Sequence, residues 1–147
     1  MGLKHDAIAI KQYLTERNEE LAPRLGSRKW WPRFAFHFTD VLNAVGILTE
    51  ERLYCRAAAI DRGLMKVNNA APTVIERSQD RTDRLARFYF RPRTPTQYHN
   101  EGCRPTDQRS YLNAHCPVPI FFLFDLEALL IQKGTRVSNG TAHLTRC

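Results

Sequence analysis

In Phe34-Ala35-Phe36-His37-Phe38-Thr39-Asp40, aromatic residues alternate with other side chains as far as Phe38. That is the period of a strand, whose successive side chains point to opposite faces. Thr39 and Asp40 then offer side-chain oxygens that can cap a following helix by accepting from its unpaired backbone donors. Val41, Leu42, Val45 and Leu48 recur on one helical face, so the strand delivers its end straight into a helix start. Gly46 falls inside that helix, where glycine costs about 1 kcal/mol relative to alanine. Its missing side chain implies close approach of a ligand or of a neighbouring element.

Upstream, Ile10, Tyr13, Leu14 and Leu21 are spaced as one face of an amphipathic helix over Asp6 to Leu21. Pro23, Gly26 and Pro32 break the pattern and leave Trp30-Trp31 in a loop or edge position. Residues 1–33 therefore read as a helix and lead-in, and 34–147 as the domain proper. Downstream, Ala57 to Arg84 is polar apart from Val74-Ile75 and reads as a long loop with a short helix, the kind of segment that folds over a ligand. Leu85 to Phe90 reads as a second strand, and Arg91 to Gln108, with three prolines and Gly102, as mostly turns with room for one helical turn. Pro119-Ile120-Phe121-Phe122-Leu123-Phe124 is a continuous apolar run that suits a buried central strand. Asp125 to Gln132 is a short amphipathic helix ended by Lys133-Gly134, and Ser138-Asn139-Gly140 is a turn. The expected fold is α+β, a small mixed sheet with long loops.

A chain of 147 residues has the length of one domain. No stretch approaches the roughly 20 apolar residues needed to span a bilayer, and the N-terminus lacks the apolar core of a signal peptide. A cytoplasmic protein with no membrane partner is expected. The 22 lysines and arginines exceed the 15 acids, for a net charge of +7. That excess favours an anionic partner, nucleic acid above all, or serves solubility alone. In Arg87-Phe88-Tyr89-Phe90-Arg91-Pro92-Arg93 the candidates for a DNA contact are Arg87, Tyr89, Arg91 and Arg93. Guanidinium groups pair with phosphates and aromatic rings stack on bases. The same residues also fit a core strand flanked by solvated charges. Cys55, Cys103, Cys116 and Cys147 form no CxxC pair and should stay reduced. The set His99, Cys103, His115 and Cys116 fits no common zinc spacing, so no metal is expected.

Neither a GxGxxG nor a GxxxxGK[ST] loop is present, which removes the common dinucleotide and P-loop folds. HExxH and GxSxG are absent too. His37 at a strand terminus can hydrogen-bond a ligand amide or ribose, or be a satisfied structural histidine.

His37-Phe38-Thr39 with Asn43 and Gly46-Ile47-Leu48 resembles the opening block of the DarT family of DNA ADP-ribosyltransferases. Phe88-Tyr89-Phe90-Arg91-Pro92-Arg93-Thr94-Pro95-Thr96-Gln97-Tyr98 is similar to its second block, an aromatic strand followed by an Arg-(Ser/Thr)-Pro turn. Val137 to Ala142 resembles the start of a later loop. The resemblance runs from about Phe34 to Ala142 and implies a partial ADP-ribosyltransferase-like fold. It also implies transfer of ADP-ribose from NAD, as substrate, to a base of single-stranded DNA. Many members of that family are toxins neutralised by a DNA-repairing macrodomain antitoxin, so the resemblance adds such an antitoxin as a candidate partner. By resemblance His37, Phe38, Thr39, Gly46 and Tyr54 contact NAD, and Arg77 is the catalytic arginine of the loop before the aromatic strand. The family's catalytic glutamate lies in a C-terminal strand beyond Cys147, so the resemblance predicts a truncated chain holding only part of the NAD pocket. Two other readings fit the residues: a non-catalytic nucleic-acid-binding module using Arg87 to Arg93, and a fragment without a stable fold.

Overall fold

The N-terminal helix α1 spans Ala7–Leu25 in the structure, a computed structural model that describes residues 2–68, 83–103, 105–108 and 115–138. It runs beyond the expected stop at Leu21 and through Pro23. A proline removes one amide and crowds the carbonyl four residues earlier, and in a last turn that loss is small. The helix ends instead at Gly26, whose φ of 54° lies where glycine escapes a Cβ clash. Two 3₁₀ turns follow, Gly26–Arg28 and Trp31–Arg33. The two tryptophans therefore sit in a folded turn rather than the loop or edge expected of them.

β1 is Phe34–Asp40 and β2 is Pro119–Asp125, and the two form a two-stranded antiparallel sheet. Between them in sequence come α2 (Val41–Thr49), α3 (Arg56–Asp61) and α4 (Pro95–Asn100), with a 3₁₀ turn at Thr106–Gln108. After β2 comes α5 (Leu126–Leu130). The architecture is α+β, as the patterning predicts, but three expectations are corrected among the described residues. Leu85 to Phe90 is not a strand. Only Tyr89 pairs, its amide and carbonyl both bonded to Phe36 at 2.8 Å, before Pro92 and Pro95 end the extension. The sheet is accordingly antiparallel and two-stranded, not mixed. β2 is also neither central nor fully buried: Leu123 is 45% exposed, because a two-stranded sheet has no interior strand.

The chain divides into two compact units. The first comprises Met1–His37, Phe88–Pro92 and Phe122–Asn139. Its interior is apolar, built on Ala7, Ala35, Phe36, Leu126 and Ile131. Full burial of a phenylalanine such as Phe36 contributes about 2–3 kcal/mol. The N-terminal segment is stitched to the end of α5 through Lys4 N–H to the Ile131 carbonyl at 2.8 Å and Lys133 N–H to the Gly2 carbonyl at 3.0 Å. An ion pair of 2.8 Å joins Lys11 on α1 to Glu127 on α5, both half-exposed, and adds less than about 1 kcal/mol.

The second unit comprises Phe38–Arg87, Arg93–Phe121 and Gly140–Cys147. Its buried residues are of another kind. Among the described residues they are, besides Ala44 and Cys116, Asp40, Thr94, Gln97 and Asn100. The apolar residues of α2 that share a helical face, Val41, Leu42, Val45 and Leu48, are all exposed. No helix among the described residues is long and apolar enough to cross a membrane.

Candidate functional site

Burying polar side chains costs free energy unless their hydrogen bonds are met, so a buried polar cluster marks a place where position matters. Asp40 is 3% exposed and Cys116 fully buried. One Asp40 carboxylate oxygen accepts from the Leu42 amide at 2.9 Å, which caps α2. The carboxylate also accepts from the Cys116 thiol. Burial first, then the Asp40 charge and this hydrogen bond, then the charge of Glu101, push the Cys116 thiol up to about 11. At neutral pH the sulfur is therefore a protonated donor, not a nucleophile. The Cys116 amide donates to the Asn100 carbonyl at 2.6 Å, and the Val41 amide to the Val118 carbonyl at 3.2 Å. Together these bonds lock the junction of β1 and α2 onto the segment before β2 and the end of α4.

Asn43 clasps a second segment. Its Oδ1 accepts from the amides of Lys66 and Val67 at 2.8 and 3.0 Å, and its Nδ2 donates to the Val67 carbonyl at 2.7 Å. Arg56 reaches Asn68 Oδ1 with Nη1 at 3.1 Å and lies 4.0 Å from Asp83, while the Ala57 amide donates to the Asp83 carbonyl at 3.0 Å. The start of α3 therefore holds together residues on both sides of the 69–82 stretch. α4 begins with the capping hydroxyl of Thr94, which accepts from the Gln97 amide at 3.2 Å, and with Pro95, whose missing amide is no loss there. Gln97 Nε2 donates to the Glu101 carboxylate. Three buried side-chain atoms, Asp83 Oδ1, Gln97 Oε1 and His115 Nε2, have no hydrogen-bond partner among the described residues.

His37 is half-buried in the first unit, its ring 6.3 Å from Phe88, which in turn meets Phe124 edge-on at 5.0 Å. Phe38, Thr39, Gly46 and Tyr54 belong to the second unit. Phe38 packs on Phe121 at 6.1 Å. Tyr54 is flanked by guanidinium groups, Arg62 at 4.7 Å and Arg52 at 5.9 Å from its ring, and its hydroxyl reaches Glu50 at 3.4 Å. A Cβ on Gly46 would meet the Leu64 carbonyl oxygen at 3.6 Å, an ordinary contact, so packing against the described residues does not demand glycine there. Arg77 lies outside the described residues. Arg87, Arg91 and Arg93 are exposed, and Tyr89 is half-buried. Sequence reading missed the Asp40–Cys116 bond and the Asn43 clasp, because both join residues far apart in the chain. Thr94-Pro95 carries a legible helix-start signal.

The model of the family described as ssDNA thymidine ADP-ribosyltransferase, DarT, matches residues 36–145, and the chain belongs to that family. Comparison with curated proteins and with solved structures gave no match.

Proposed function

We propose that the protein transfers ADP-ribose from NAD to a thymidine base of single-stranded DNA. The match over residues 36–145 carries this reading. The buried lock at the β1–α2 junction supports it, because it fixes the backbone next to His37, Phe38 and Thr39. In this reading His37, Phe38, Thr39, Gly46 and Tyr54 contact NAD, and Arg77 serves the reaction. The bond from the ribose anomeric carbon to nicotinamide breaks and nicotinamide leaves with the electron pair. The acceptor atom of the base then forms the new bond and gives up its proton. The oxocarbenium-like state between them calls for a nearby negative charge, a role for a carboxylate. Arg87, Tyr89, Arg91 and Arg93 meet the strand. The fold completing this site is ADP-ribosyltransferase-like. The biological role that follows is that of a cytoplasmic toxin, with a macrodomain antitoxin that removes the ADP-ribose as its partner.

The test is incubation with labelled NAD and single-stranded oligonucleotides that contain or lack thymidine. Label should enter only the thymidine-containing strands, and His37→Ala should abolish it. A folded protein that binds NAD and DNA and labels neither strand would overturn the transfer reading. A second reading, a nucleic-acid-binding module without catalysis, draws on the exposure of Arg91 and Arg93. Salt-dependent DNA binding with no NAD consumption would favour it.

A further inference from the structure

The segment from Leu21 to Thr39 contains no acidic residue but carries Arg24, Arg28, Lys29 and Arg33 together with both tryptophans of the chain, Trp30 and Trp31. All of it up to His37 belongs to the first unit, and nearly all precedes residue 36, where the family match begins. The four cations are exposed, and the ion pairs among the described residues use Lys11, Arg17 and Arg56 instead. Two short 3₁₀ turns, Gly26–Arg28 and Trp31–Arg33, carry three of these charges at or beside their ends, all within ten residues of chain. Arg24 lies in the last turn of α1, where the helix dipole accounts for one of them. Arg28, Lys29 and Arg33 remain without such an explanation.

Trp30 is the anomaly. It is 42% exposed although large and apolar. It is nevertheless held, with Trp31 at 6.1 Å, Phe34 at 6.1 Å and the buried Phe36 at 6.3 Å from its ring. Beside it, the Arg28 guanidinium sits 5.4 Å from the ring centre of Trp31. A packed, half-exposed indole near three exposed cations that form no ion pair among the described residues combines the two elements that bind single strands without sequence preference: a stacking surface for bases and positive charge for phosphates.

We infer that Arg28, Lys29, Trp30 and Arg33 form an accessory binding site for single-stranded nucleic acid, with a base stacked on Trp30. The inference extends the reading of single-stranded DNA as acceptor and rests on it for its role: the site would raise the local concentration of acceptor strand. An anionic lipid surface also attracts arginine and tryptophan, but an indole already packed against Phe34 and Phe36 suits a planar base better.

Because Trp30 and Trp31 are the only tryptophans, intrinsic fluorescence of the full chain reports on this site without a label. Titration with oligo-dT, without NAD, should quench the emission saturably. Trp30→Ala should weaken binding, read by anisotropy of a labelled strand, on the order of tenfold. Since that change also removes packing on Phe36, the triple variant Arg28→Gln, Lys29→Gln, Arg33→Gln at exposed positions is the second arm. It should keep the thermal transition and lower the slope of log affinity against log salt by about 2, from roughly 0.7 per phosphate contact. His37→Ala should leave the quenching intact while abolishing transfer, which separates this site from the reaction. Quenching without transfer by the wild type would sink the transfer reading and leave this site standing. Strand binding unchanged in both variants, or binding without quenching, would overturn the accessory site. So would variant-sensitive binding to phosphatidylserine vesicles with no response to oligo-dT.

Discussion

Asp40 accepts from the Leu42 amide and from the Cys116 thiol, so its removal takes away a helix cap and strands a buried donor at once. Asp40→Ala should lower stability by about 2–3 kcal/mol, whereas Asp40→Asn, which keeps an acceptor at the cap, should cost less. Urea denaturation measures both. Cys116 adds a pH dependence. In the unfolded chain the thiol ionises near 9.0, and in the folded one burial and the Asp40 charge hold it up to about 11. Its stabilising contribution is therefore whole below pH 9 and declines by about 1 kcal/mol per pH unit as pH rises towards 11, because the unfolded state then binds fewer protons. The stability difference between the wild type and Cys116→Ala should narrow over that window; a difference independent of pH would contradict the buried bond. Of this pair, only the capping role of Asp40 was legible in sequence, since a cap is local. No pattern of spacing could join it to Cys116.

At the scale of elements, the sequence announces those whose cause is local and misplaces those decided by packing. β1, α2, β2 and α5 follow from period, cap and breaker, as with Asp125, which accepts from the Ala128 amide at 2.8 Å to start α5. Leu85 to Phe90 has the composition of a strand but finds a partner only at Tyr89, and strand propensity without a neighbour makes no ladder. α2 shows the converse. Its regular apolar stripe is exposed, and the buried side of the helix carries Ala44, so periodicity marked a face correctly without saying what lies against it. The Asn43 clasp gives this helix its most testable contact. Asn43→Ala removes three hydrogen bonds to Lys66 and Val67. It should cost about 1–3 kcal/mol and speed proteolytic cleavage at residues 64–68. Unchanged cleavage would show that the segment is held by other contacts.

Across the whole molecule, the division of interiors frames the function: one unit is built on apolar residues, and the other buries Asp40, Thr94, Gln97 and Asn100. Stability resides mainly in the first kind of interior and precise placement in the second. The candidate NAD contacts Phe38, Thr39, Gly46 and Tyr54 fall in the polar-cored unit, with His37 immediately before it in the chain. They are proposed from family resemblance, not from spacing. The net charge of +7 implies that binding of single-stranded DNA weakens steeply with salt. NAD binding should change less over the same range, because it involves only two phosphates. The most direct measurement of the central claim is mass spectrometry of a single-thymidine oligonucleotide after incubation with the protein and NAD. The account requires a mass increase of one ADP-ribose per strand, located on the thymidine and absent with His37→Ala. An unmodified strand, from protein shown by thermal shift to bind NAD, would contradict it.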